Sequence, residues 1–78
     1  MRYLAVFFPD SYDAGVRDVI MADEMESFLT LAVDYLRDHP CGVVLKEYEG
    51  GRYRELPRQW YREINCRLGK ISGIGGDN

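Results

Sequence analysis

Two adjacent glycines, Gly50 and Gly51, separate two runs rich in β-branched, aromatic and charged residues, 43–48 and 52–56. Glycine reaches positive φ without steric cost, so the pair suits the primed two-residue turn whose twist matches that of a hairpin. With the glycines at the tip, Glu49 faces Arg52, Tyr48 faces Tyr53, Glu47 faces Arg54, Lys46 faces Glu55 and Leu45 faces Leu56. Opposed charges and paired aromatic or aliphatic side chains contribute about 0.2–1 kcal/mol each. A slip of one residue loses every one of these pairs, so the register is strongly specified.

The rest of the chain must be compatible with that hairpin. Residues 3–8 are apolar at both alternating sets of positions, Tyr3, Ala5, Phe7 and Leu4, Val6, Phe8, as expected of a central strand covered on at least part of both sides. Residues 9–15 collect the Pro, Asp, Ser and Gly of a long turn, and 16–21 return to a second strand. A helix then follows. Asp23 is placed to cap it, with Glu26 three residues on as the partner of a capping box. At about 100° per residue, Met25, Phe28, Leu29, Ala32 and Leu36 form one stripe. Glu26, Ser27, Thr30, Asp34, Arg37 and Asp38 take the opposite face.

Pro40 ends this helix, which leaves the imidazole of His39 near the last unpaired carbonyls. Pro57 suits the first turn of a second helix, with Trp60, Tyr61, Ile64 and Leu68 along its buried side and Gly69 as its terminator. Trp60 reads as a core anchor. The expected fold is α+β in the order β-β-α-β-β-α: an antiparallel four-stranded sheet with both helices on one face. Residues 1–69 form a single domain and 70–78 a flexible, glycine-rich tail, in which Gly73-x-Gly75 has neither the following helix nor the Gly-Lys-Ser/Thr of a phosphate loop.

At 78 residues the chain has room for one small domain, and a sheet covered on one face leaves its other face open for contact or dimerisation. No apolar run is long enough to cross a membrane, and the apolar opening is too short for a signal-peptide core. A soluble, cytoplasmic protein with Cys41 and Cys66 as thiols is the expectation. No cofactor is called for. A zinc site would need His39, Cys41, Cys66 and a carboxylate assembled from apart, without the usual ligand spacing. His39 lacks a serine motif, and neither cysteine has a paired histidine or a CxxC arrangement, so enzymatic activity is not expected.

Charge is the more informative property. The formal net charge is -3, but residues 1–39 hold eight acids and three bases, and the remainder five acids and seven bases. Since the hairpin register sets Lys46, Arg52 and Arg54 against acids, the uncompensated charge is expected on the first helix, at Glu24, Glu26, Asp34 and Asp38 with Arg37 nearby. Asp34 and Asp38, four residues apart, repel each other, a local penalty compatible with a docking surface. Opposite in sign are Arg58 and Arg62, one turn apart on the second helix, and Arg67 on its other side beside Trp60, with Glu63 placed to offset Arg67.

The opening Met1-Arg2-Tyr3-Leu4-Ala5-Val6-Phe7-Phe8-Pro9-Asp10, followed by a glycine turn, a strand and an acid-flanked helix, resembles the start of HicB-type antitoxins, without their Pro-Asp-Leu-Pro-Gly segment. That resemblance implies binding to a small toxin. In size and charge, though in no motif, the chain is similar to small phage-encoded α+β proteins, including anti-CRISPR proteins. The leading expectation is a non-enzymatic inhibitor or regulator, monomeric or homodimeric, that docks the acidic helix face on a basic, nucleic-acid-handling surface of a larger protein. Direct nucleic-acid binding through Arg58, Arg62 and the hairpin arginines is the third reading.

Overall fold

The computed structural model describes residues 1–8 and 18–69. Their order is β1 (Tyr3–Phe8), β2 (Asp18–Ala22), α1 (Met25–Asp38), β3 (Gly42–Glu49), β4 (Arg52–Glu55) and α2 (Arg58–Arg67). The strands form one antiparallel sheet in the order β2-β1-β3-β4, so β1 is central. Expectations for residues 9–17 and for the 70–78 tail lie outside the described residues.

The hairpin has the register derived from its glycine tip: Glu49 faces Arg52, Tyr48 faces Tyr53, Glu47 faces Arg54 and Lys46 faces Glu55. Gly50 and Gly51 both take positive φ, 63° and 87°. The tyrosine rings meet edge to face with centroids 5.1 Å apart. The Leu56 amide donates to the Leu45 carbonyl at 2.8 Å, carrying the ladder one step past β4. Leu45's own amide then donates to the Tyr61 hydroxyl of α2 at 2.8 Å, which replaces a strand partner where the chain turns away.

Strand pairing decides which side of the sheet is covered. Tyr3, Ala5 and Phe7 of β1 face Ala22, Ile20 and Asp18 of β2 and Glu47, Leu45 and Val43 of β3. Residues directly opposed across a sheet share a face, so this register gathers one apolar layer. Both helices pack on it: Tyr3, Ala5, Phe7, Ala22 and Leu45 join Phe28, Leu29, Ala32, Val33 and Leu36 of α1 and Ile64 of α2 in one core. Phe28 stacks on Tyr3 at 5.5 Å and Tyr35 meets Phe7 at 4.1 Å, so α1 runs along β1 in the same direction. Trp60 is half-buried against the same core.

Three local expectations are corrected and one, the coverage of β1, holds. β1 is covered fully on the helix side and in part on the other, where Leu4, Val6 and Phe8 are half-buried, as expected of a central strand. The residue flanking α1 is Glu24, with no side-chain cap, because Asp23 instead accepts a hydrogen bond from the Arg2 amide at 3.2 Å. Pro57 precedes α2 as its capping residue and its carbonyl accepts from the Trp60 amide at 3.1 Å. The His39 imidazole stacks on the Tyr35 ring at 4.6 Å, while its backbone amide closes the helix on the Tyr35 carbonyl.

Two predictions follow from these contacts. Replacing Gly51 by valine forces a β-branched residue into left-handed geometry, so the urea midpoint should fall by the equivalent of about 1–2 kcal/mol, whereas Gly50→Asn should cost less. Tyr35 donates its hydroxyl to Asp18, and ionising the phenol would set two anions together, which pushes its pKa up to about 12. A folded pKa raised above the unfolded value of about 10 gives stability that is intact below pH 10 and lost as pH rises toward 12. Between pH 9 and 12 the wild-type urea midpoint should therefore fall more steeply than that of Tyr35→Phe.

Candidate functional site

Of the seven charged residues expected to make contacts, two are occupied with each other. Arg67, at the end of α2, donates from Nη1 and Nη2 to the two carboxylate oxygens of Glu26 on α1, each at 2.9 Å. Its Nε donates to Glu63 one turn back at 2.8 Å. The guanidinium thus forks between two carboxylates and links the starts of one helix to the end of the other. It holds the Glu26 carboxyl below the usual carboxylate range, and both acids push the Arg67 pKa further up. Arg37 adds a bond from Nη2 to the Arg67 carbonyl at 3.3 Å.

This arrangement corrects the local reading of Glu26. Glu26 is not the partner in a capping box, and its carboxylate is compensated by Arg67, so two of the residues expected to make outside contacts are paired with each other. The two residues are 41 positions apart, so local spacing carries no sign of their pairing.

The hairpin charges are also redistributed. Glu47 lies opposite Arg54 in the ladder, but its carboxylate accepts from Arg2 Nε at 2.9 Å, and Arg54 reaches diagonally to Glu49 at 4.0 Å. Register was read correctly; the expected offset of each base by the acid directly opposite was not, because long side chains choose among several partners at similar distance.

On the outer side of α1 the remaining acids form a pattern. Glu24, Ser27, Leu31, Asp34 and Asp38 recur at alternating steps of three and four, which places them along one exposed stripe. Arg37 meets Asp34 at 3.6 Å, with both side chains more than half exposed, so the pair is well screened by water. Leu31 is 45% exposed at the middle of the stripe. It escaped the sequence reading, which assigned this side of the helix through its polar positions; the signal was present in its place midway between Ser27 and Asp34.

A second surface lies on the other side of the molecule. Val19, Val6 and Val44 are directly opposed across β2, β1 and β3, and Met21, Leu4 and Lys46 form the neighbouring row. Val19 and Met21 are 50% and 42% exposed, and Tyr48 is 49% exposed near the hairpin tip. Among the described residues both helices pack on the opposite face, as anticipated for a two-layer fold, and these apolar rows follow from alternation once the register is known.

Arg58 and Arg62 are exposed on α2. Arg58 borders a hollow of about 520 Å³ together with Glu55, Leu56 and Tyr61. The Tyr61 hydroxyl donates to the Glu55 carboxylate there at 2.7 Å, and burial first, with that carboxylate, pushes the Tyr61 pKa up to about 12. A carboxylate in the same hollow opposes a phosphate, so Arg58 does not belong to a purely cationic site. Cys41 is half-buried, Cys66 is exposed on α2, and they are not joined in a disulfide. Among the described residues no three His, Cys, Asp or Glu side chains gather in a manner suited to a metal ion, and no helix is long and apolar enough to cross a membrane.

No protein-family model, curated protein or solved structure matches the chain, so the HicB-type resemblance of its opening gains no support from comparison.

The Arg67 fork predicts a specific stability pattern. Arg67→Ala should lower the urea midpoint, Glu26→Gln should do so in the same direction, and the double variant should lose less than the two effects together. The loss should shrink as salt is raised. Arg62→Ala, which breaks no bond of the fork, should leave the midpoint unchanged.

Proposed function

We propose that the protein is a non-enzymatic inhibitor or regulator that acts in the cytoplasm by docking the outer stripe of α1 on a basic, nucleic-acid-handling surface of a larger protein. The observation that carries this reading is Leu31, an exposed aliphatic side chain set among Glu24, Asp34 and Asp38. Carboxylates steer the encounter with a basic surface and occupy positions where phosphates bind, while a desolvated aliphatic anchor supplies contact area. Charge for its own sake would not need the leucine.

The helix tolerates this composition against its own electrostatics. Asp38 lies at the negative end of the α1 dipole, and Asp34 stands one turn before it, so both would be better replaced by neutral or basic residues if only helix stability mattered. Glu26 is left out of the docking set because its carboxylate holds α2 in place. The basic alternative is weakened by the same bond, which removes Arg67 from the arginines that a nucleic acid could reach.

The test compares wild type with a variant carrying Glu24→Gln, Leu31→Ala, Asp34→Asn and Asp38→Asn as baits in host lysate, with mass spectrometry of the captured proteins. All four positions are exposed, so the variant should keep its circular dichroism and melting behaviour. Wild type should retain a basic nucleic-acid-handling protein, the variant should bind it at least tenfold more weakly, and added salt should weaken the wild-type complex. Equal retention of that partner by the variant would overturn the proposal, as would tight binding of random DNA or RNA abolished by Arg58→Ala with Arg62→Ala.

A further inference from the structure

The hollow where β4 passes into α2 shares none of its described lining residues with the α1 stripe or the Arg67 fork, and the function proposed above leaves it unused. We infer that it binds a small zwitterion with an apolar tail, the chemistry of a free apolar amino acid, whose carboxylate meets Arg58 and whose ammonium meets Glu55.

Charge complementarity selects this ligand. Among the described residues the lining is Glu55, the last residue of β4, then Leu56, Arg58, the first residue of α2, and Tyr61. Among those same residues Arg58 makes no ion pair or side-chain hydrogen bond, and the Glu55 carboxylate is engaged by the Tyr61 hydroxyl alone. The two opposite charges are three positions apart and border one hollow, yet they are not paired with each other. A simple anion there meets the Glu55 carboxylate and a simple cation meets the Arg58 guanidinium, whereas a ligand of both signs satisfies both. Leu56, 5% exposed, and the half-buried Tyr61 ring offer the tail an apolar wall. The volume of about 520 Å³ lies within the roughly 300–1,000 Å³ of small-molecule sites.

The acceptor is fixed before a ligand arrives. Tyr61 accepts at its hydroxyl from the Leu45 amide at 2.8 Å, and since an amide N–H can only donate, the phenolic hydrogen is directed to Glu55 Oε2 at 2.7 Å. Oε1 is left without a hydrogen bond among the described residues. Burial first, then Glu55, pushes the Tyr61 pKa up to about 12, so the hydroxyl keeps its proton and this relay persists at neutral pH. The backbone that joins the two charges is held as well: the Leu56 amide is bonded to the Leu45 carbonyl at 2.8 Å, and the Pro57 ring holds φ at -61°. Groups already ordered lose less freedom when a ligand binds. Both charged side chains are exposed to water, which weakens each contact, so the complex belongs in the range of roughly 1–10 mM.

Amide NMR titration of the full chain with L-leucine over roughly 0.1–30 mM, a span that brackets weak association, tests the inference. Saturable shifts should fall on Glu55, Leu56, Arg58 and Tyr61 and not on Leu31 or Asp34. The compounds 4-methylpentanoate and 3-methylbutylamine, which carry the same tail with one charge each, should bind roughly tenfold more weakly. Arg58→Gln and Glu55→Gln, both at exposed positions, should each weaken leucine binding to a similar degree while preserving the circular dichroism spectrum. Glu55→Gln keeps an acceptor for the Tyr61 hydroxyl, so its effect reads the lost charge rather than a broken relay. Absence of saturable shifts at the highest concentration overturns the inference, as do shifts centred on α1, binding of either single-charge compound as tight as that of leucine, or leucine binding that neither variant weakens.

Discussion

The pairing of β1 between β2 and β3 is the constraint from which the other contacts follow. It places Tyr3, Ala5 and Phe7 in the same layer as Ile20, Ala22, Val43 and Leu45, and that layer is what α1 and α2 cover. A slip of one residue in β1 would send Leu4, Val6 and Phe8 inward and set Phe7 in water. Phe7 is completely buried and Tyr35 lies on it, and Tyr35 in turn donates to Asp18 and carries His39. One register choice therefore fixes the core and the seat of α1, along with the polar contact that ties that helix to the edge strand.

Much of this was legible because it is local or periodic. The hairpin could be read at residue resolution, since a two-residue turn leaves no freedom between Gly50–Gly51 and the pairs that flank them. The order of elements and the one-sided packing of helices came from alternation in strands and the stripe in α1. What could not be read were choices among long side chains. Asp23 and Glu26 have capping-box spacing, yet the Arg2 amide takes Asp23 and Arg67 takes Glu26. Each competing partner is brought in by the tertiary fold, from 21 and 41 residues away. A charge-assisted fork outweighs a single bond to a frayed helix end, so the local motif yields.

The same competition changes the meaning of the charge count. Splitting the sequence into an acidic first part and a basic second part suggests two opposite surfaces. In the fold, the acidic and basic segments meet along the α1–α2 contact, where the one guanidinium of Arg67 is shared by the carboxylates of Glu26 and Glu63. What remains outside is less than either tally implies: on α1 a stripe in which carboxylates surround Leu31, and on α2 a pair of exposed arginines, one of them sharing its hollow with Glu55. Contact residues are thus better identified by removing those the fold has already engaged than by counting charges along a helix.

A two-layer domain of this length has a further consequence for where contacts are possible. The helices pack on one side of the sheet, and the alternation that buries Ala5 and Leu45 must turn Val6, Val44 and Lys46 the other way. If that second side were meant only for water, polar residues would serve at no cost to the core, since alternate positions of a strand are independent in the face they line. Valine at three consecutive cross-strand positions is therefore not required by the helix-covered core. The exposed acids of α1 are gathered on the helix layer and the valine row on the sheet layer, so the two sides of the domain present different chemistry.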